Sequence, residues 1–252
     1  MSDLHLIEAP LDLRALHRWF EDRGFGGRGP FDEGRALHHL LSEAFGPGVT
    51  QPFRLMPAPG GQGGTLYAYA RDDAATLQER ARATATPGTA DAMAVDRLRS
   101  VPRPAAHWRA GQRLGFDLRL RPVVRLRAAI PGTSFGKGRE IDAFLAEALQ
   151  HHGGDAGGME ATGRTRQAVY LDWLANRLGP AATLDRAASR LASFRRSRAH
   201  RGGRLIEGPD AVIHGTFTID DPTAFADRLA RGVGRHRAYG YGMLLLRPPQ
   251  RC

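Results

Sequence analysis

Three short segments hold the residues best suited to chemistry. The first is Arg35-Ala36-Leu37-His38-His39, which sets His38 three residues after Arg35. Residues three apart on a helix share a face, so the imidazole and the guanidinium would stand side by side. Such a pair can protonate a departing 5′-oxygen and hold the charge that gathers on a phosphate. The chain has ten histidines, and His17, His39 and His236 are rivals that the pattern does not remove.

The second segment runs from Gly232 through Val233, Gly234, Arg235, His236, Arg237, Ala238, Tyr239, Gly240 and Tyr241 to Gly242. Its glycines permit positive φ and close backbone approach, its bases suit phosphates, and Tyr239 offers a stacking face. It follows an expected helix and lacks the GxGxxG spacing, which excludes a dinucleotide fingerprint. Gly132 to Gly138 likewise lacks the length and the Ser/Thr of a P-loop. The third segment places Arg195, Arg196, Arg198, Arg201 and Arg204 within ten residues that contain no acid. Joined through Arg201-Gly202-Gly203, it reads as a hairpin whose arginines project from the open side of a sheet edge, suited to the groove of a folded RNA. The plainer alternative is a solvated strand face.

Net charge supports a polyanionic partner. The 252 residues carry a formal charge of +10, with 15 basic and 14 acidic residues up to Leu120 but 21 and 12 beyond it. Abundant Ala, Gly, Pro and Arg, with Lys137 the single lysine, match a GC-rich coding bias. A bias acts along the whole chain, however, and does not produce that asymmetry. The only cysteine is Cys252, which excludes disulfides and zinc-cysteine sites. There is no HExxH motif and no carboxylate cluster with two-metal spacing, so neither a metal nor another cofactor is expected. Apolar runs are too short to cross a membrane and the start lacks a secretory signal, so the expectation is a cytoplasmic protein with no membrane partner.

The elements that must position these residues follow from periodicity and punctuation. A strand at Leu4–Ile7 is expected to end at Pro10, followed by helices from Asp12 to Glu21 and from Asp32 to Phe45. Phe53–Met56 and Thr65–Tyr69 form a hairpin, Asp72-Asp73 opens a helix, and Gly111–Leu126 alternates as the next strand until Pro122. In the second half, Val123–Leu126, a helix at Thr165–Leu178, strands at Leu191–Arg198 and Leu205–Ile219, a helix from Asp221 and a strand at Met243–Leu246 repeat the order. Residues 131–163 are a connector with one helix at Arg139–Leu149. The fold class is therefore α+β, two tandem ferredoxin-like βαββαβ domains, with residues 1–120 as one and 121–252 as the other.

The leucine-histidine helix with His38, the strand Gly111–Arg119 leading to Pro122, and the glycine-rich segment followed by Met243-Leu244-Leu245-Leu246 resemble the CasE family. These are CRISPR repeat-processing endoribonucleases of type I-E systems, within the RAMP superfamily. The resemblance implies binding of a repeat stem-loop and metal-independent cleavage at the 3′ base of that stem. The 2′-hydroxyl would be the nucleophile, leaving 2′,3′-cyclic phosphate and 5′-hydroxyl ends. It also implies that the mature crRNA is retained and that the protein serves as a subunit of the Cascade surveillance complex. The family histidine falls on His38, and Arg35 stands where the family usually has a tyrosine. Arg35 would then stabilise the phosphorane, while the hairpin arginines and Gly232, Gly234, Arg235, His236, Arg237 and Tyr239 would bind RNA. A non-catalytic RAMP scaffold that holds crRNA is the alternative, and a module contacting only protein is a third reading. Cutting is expected in the first half and binding mainly in the second.

Overall fold

The computed structural model describes positions 4–25, 31–201 and 204–249, while the side chains of 199–206 lie outside that description. The chain opens with β1 (His5–Asp12), α1 (Leu13–Asp22), α2 (Glu33–Phe45), β2 (Phe53–Pro57) and β3 (Gly63–Ala70). It continues with α3 (Ala74–Thr84), α4 (Pro87–Ala92), β4 (Arg99–Pro102), β5 (Arg113–Leu120), β6 (Val123–Arg125) and β7 (Glu140–Asp142). Next come α5 (Ala143–His151), α6 (Ala156–Ala161), α7 (Arg166–Leu178), β8 (Ala182–Arg201) and β9 (Arg204–Ile219). The last elements are α8 (Pro222–Arg231) and β10 (Leu245–Arg247).

One sheet has the order β2-β3-β1-β4 and another β10-β5-β9-β8, with β6 and β7 forming a small ribbon. Read backwards, the first order is fourth, first, third, second, with α1 and α2 between the first and second strands and α3 and α4 between the third and fourth. The second sheet repeats it, with α7 and α8 as the crossover helices. This is the ferredoxin-like arrangement twice over, and the sequence-based fold class holds.

Two compact units result. One is Met1–Ala110 with Asp221–Leu245, and the other is Gly111–Asp220 with Leu246–Cys252. In the first, the helices begin where acids can cap them: Asp12 accepts from the Ala15 N–H at 2.8 Å, Asp32 from Arg35 at 3.0 Å and Asp73 from Thr76 at 2.9 Å. Leu16, Trp19, Phe20, Leu37, Leu40, Leu41 and Phe45 then bury one face of each early helix against Ile7, Phe53, Leu66 and Ala68 of the sheet. α8 adds Phe225, whose ring meets Trp108 edge-on at 5.1 Å. That apolar contact draws α8 and the glycine-rich segment into the first unit, although sequence order assigned them to the second half.

Three further sequence expectations change. β1 runs through Pro10 to Asp12, because the Pro10 carbonyl accepts from Ala94 and its missing N–H faces the side that β4 does not reach. Arg113–Leu120 is the first strand of the second sheet, paired with β9, and the four residues of β4 complete the first. Alternation located that strand correctly but does not say which sheet receives it. The connector carries β7 and two helices, α5 and α6, where one helix was expected, and β7 pairs with β6 from Val123↔Asp142 to Arg125↔Glu140.

Candidate functional site

Asp32 caps α2, and Ala36, Leu37, Leu40 and Leu41 bury its inner face, so His38 falls at the flank, half-buried. The glycine-rich segment folds against this helix. After α8, the Val233 N–H donates to the Gly242 carbonyl at 2.8 Å and closes the segment on itself. A side chain at Gly232 would place its Cβ 2.7 Å from that same carbonyl oxygen and 3.0 Å from Pro52, which only glycine avoids. His236 sits in the left-handed region at φ 63° and accepts the Tyr239 N–H at 2.9 Å, forming a one-turn helix at Arg237–Tyr239. The phenolic O–H of buried Tyr69 donates to the Leu244 carbonyl at 2.9 Å and fixes the segment's exit. Tyr239 is thereby held with its ring 5.2 Å from the His38 imidazole, at 53° between planes.

The other candidates are distributed differently. The Arg35 guanidinium lies 5.8 Å and 5.6 Å from the Phe20 and Phe25 rings and donates to the Phe25 carbonyl at 3.4 Å. That contact uses one of its five N–H donors. His39 stacks on Phe25 at 4.3 Å, and His17 lies edge-on to Phe31 at 4.7 Å with Glu21 at 3.8 Å. These two rivals are engaged by neighbours on their own faces. Arg237 donates to the Arg231 carbonyl at the C-terminal end of α8, where a cation complements the helix dipole. Gly234 has φ 79° within the turn. Arg235 and His236 belong to the same folded segment, so a binding role for them would be played from the first unit.

The arginine hairpin is formed by β8 and β9, both longer than their sequence pattern indicated. β8 already starts at Ala182, and register shifts between Asp185 and Arg190 and between Leu191 and Ser193 break its alternation. Gly202 and Gly203 lie outside the described residues, as do the side chains of Arg201 and Arg204. Arg195 is opposite Asp210 and Arg198 opposite Glu207, so the partner strand supplies the acids that the ten-residue window lacked. Arg195 donates to Asp210 at 2.8 Å; Arg196 and Arg198 donate to Glu207 at 2.8 Å and 3.2 Å. Arg119 also grips Asp210 through two hydrogen bonds of 2.8 Å and 2.7 Å. Each carboxylate thus carries two guanidiniums, and the hairpin keeps a positive excess. The side chains of Arg195, Arg196 and Arg198 are 71%, 58% and 69% exposed, open to an incoming anion.

Asp210 is the buried member of this ladder. Burial by itself would raise its carboxyl pKa, but the hydrogen bonds and charges of Arg119 and Arg195 outweigh that and hold it below the usual carboxylate range. An acid whose folded pKa is depressed contributes stability that is full above the unfolded value of about 3.9 and is lost as pH falls through the folded value. Asp210→Asn should therefore lower unfolding stability by about 2–3 kcal/mol at pH 7, somewhat less than breaking a fully buried pair because Arg195 is exposed. The difference from the parent protein should shrink below about pH 4 in urea melts, and a pH-independent difference would contradict this account.

Among the described residues, no group of three or more His, Cys, Asp and Glu side chains is arranged to hold a metal ion, and no helix is long and apolar enough to cross a membrane. What the first unit offers is an imidazole beside a phenol on a rigid backbone turn. Sequence reasoning named both residues but not their meeting, because a separation of 201 positions has no local signature.

A family model described as CRISPR associated protein matches residues 4–248. No curated protein matches the sequence. In fold, the chain is similar to Thermus thermophilus Cse3 bound to an RNA representing a pre-cleavage complex, at 20% identity and TM-score 0.64, covering 98% of this chain and 100% of the other. It is similar to the CRISPR-associated protein Cas6e from Escherichia coli str. K-12, at 17% identity and TM-score 0.59, with 97% and 99% covered. A chain of a CRISPR RNA-guided surveillance complex aligns at 16% identity and TM-score 0.52, covering 96% and 98%.

Proposed function

The chain belongs to the CRISPR-associated protein family, and from that premise we propose that it is an endoribonuclease that cuts CRISPR precursor RNA at the 3′ base of the repeat stem-loop. The observation that carries this reading is His38, half-exposed on α2, with the glycine-rich turn folded beside it. The fold shared with an RNA-bound Cse3 and with a chain of a surveillance complex supports it.

RNA carries its own nucleophile. The 2′-oxygen attacks the adjacent phosphorus, the P–O5′ bond breaks, and a proton must leave the 2′-oxygen while another reaches the departing 5′-oxygen. His38 performs one of these transfers. The products are a 2′,3′-cyclic phosphate and a 5′-hydroxyl, so water does not enter the bond-breaking step, and in this reading side chains rather than a metal ion handle its protons and charge. The exposed hairpin guanidiniums hold phosphates of the stem, and the cut RNA stays bound as the protein acts within Cascade. For Arg35 to stabilise the phosphorane, N–H groups other than the one on the Phe25 carbonyl would turn to a phosphate oxygen on binding.

A repeat RNA incubated with the protein in excess EDTA should be cut at one position, and the same RNA with a single 2′-deoxy nucleotide before that position should remain intact. Cleavage of the deoxy substrate would overturn the 2′-hydroxyl mechanism, and a strict need for divalent ions would overturn the metal-independent one. The engagement of Arg35 with Phe25 favours one rival, a non-catalytic crRNA-holding subunit. That rival predicts binding of both RNAs and cleavage of neither.

A further inference from the structure

The N-terminal turn of α2 contains a glycine, Gly34, where alanine would be the better helix former by up to about 1 kcal/mol. Its φ is not in the left-handed region, so backbone conformation gives no reason for it. Packing does. A Cβ built on Gly34 would lie 2.7 Å from the Tyr239 carbonyl oxygen and 3.3 Å from the Tyr239 Cβ. Real Cβ atoms do not approach a backbone oxygen that closely, and this oxygen cannot move without its turn.

That turn is braced on its other sides. Tyr239 hangs from the left-handed His236, Arg237 is tied to the end of α8, and a Cβ at Gly240 would meet the Phe53 ring at 3.3 Å. Gly34 precedes His38 by one helical turn, so the gap it leaves lies just N-terminal to the histidine on the same face. Side chains on a helix lean toward its N-terminus, and the His38 ring therefore leans toward the gap that Tyr239 fills.

We infer that Tyr239 is a positioning residue for His38 and that Gly34 is the opening in α2 that admits it. The phenol ring confines the imidazole to one orientation, which a proton transfer aimed at a single oxygen requires. This rests on the cleavage reading proposed above. The contact on which this assignment stands is ring to ring, so a phenylalanine, which keeps the ring, is expected to keep the positioning.

The test is single-turnover cleavage of the all-RNA repeat with saturating protein, with RNA affinity measured separately. Tyr239→Ala should slow the chemical step by about 10–100-fold while Kd stays nearly unchanged, and Tyr239→Phe should restore the parent rate. Gly34→Ala should slow the step to a similar extent with its helix content kept and its thermal midpoint, even if lowered by the displaced turn, still well above the assay temperature, which separates displacement of the turn from unfolding. Combining Tyr239→Ala with His38→Ala should cost nothing beyond His38→Ala alone, because residues acting as one unit are not additive.

A parent-like rate for both Tyr239→Ala and Gly34→Ala, with His38→Ala inactive, would overturn this inference and leave the cleavage reading standing. Unimpaired cleavage by His38→Ala would instead remove the reading beneath it. Weakened RNA binding by Tyr239→Ala with an unchanged chemical step would make Tyr239 an RNA-stacking residue and also overturn the inference.

Discussion

Replacing His38 with alanine is expected to slow cleavage of an all-RNA repeat stem-loop by about 10²–10⁴-fold, the range for loss of a positioned proton-transfer group. Affinity should change little, because a single half-buried ring adds little to the many arginine–phosphate contacts that dominate RNA binding. The measurement is a single-turnover time course with protein in excess, so that slow product release does not mask the chemical step. His17→Ala and His39→Ala are the controls. Their rings rest on Phe31 and Phe25, and each variant should cut within a few-fold of the parent. A His39 variant as slow as the His38 variant would move the proton-transfer role one residue along the helix, and equal rates for all three would remove it from α2.

Why the helices, but not their meeting with the glycine-rich turn, were legible in the sequence has a physical explanation. Caps are local: Asp12, Asp32, Asp73, Thr165 and Asp221 each bond to an N–H two or three residues ahead, and each marked a helix start that the structure retains. Sheet membership is not local. Arg113–Leu120 alternates clearly, yet its place beside β9 depends on residues about a hundred positions away. β4, only Arg-Ser-Val-Pro, has no pattern to recognise, and Val101 on it is 47% exposed. The same limit governed the charges. A ten-residue window around Arg195 contains no acid, and the register with β9 brings in Asp210 and Glu207 from beyond it. Gly34 was the one local hint to the turn, a glycine spent in a helix without a positive φ. Its explanation lay at the other end of the chain.

The arginine hairpin is expected to give the second large effect, and its counter-ions make that effect separable from simple charge loss. Substituting Arg195, Arg196 and Arg198 together by glutamine should weaken stem-loop binding by about 10²-fold at physiological salt. It should also take up to about three units from the slope of log affinity against log salt, one per phosphate contact removed. Glu207→Gln should do the reverse. Glu207 is exposed and hydrogen bonds from Arg198 and Arg196 hold its carboxyl below the usual range, so it is ionised and competes with phosphate for both guanidiniums. Removing that competitor should raise affinity several-fold and steepen the salt slope, with little change in folding stability because exposed ion pairs contribute little. The cleavage rate at saturating protein should stay near the parent value in both variants, since His38 lies in the other compact unit. A solvated strand face without an RNA partner predicts no change in binding from either substitution. Glu207→Gln is the more demanding test, because a gain in affinity upon removing a carboxylate cannot come from damage to the fold.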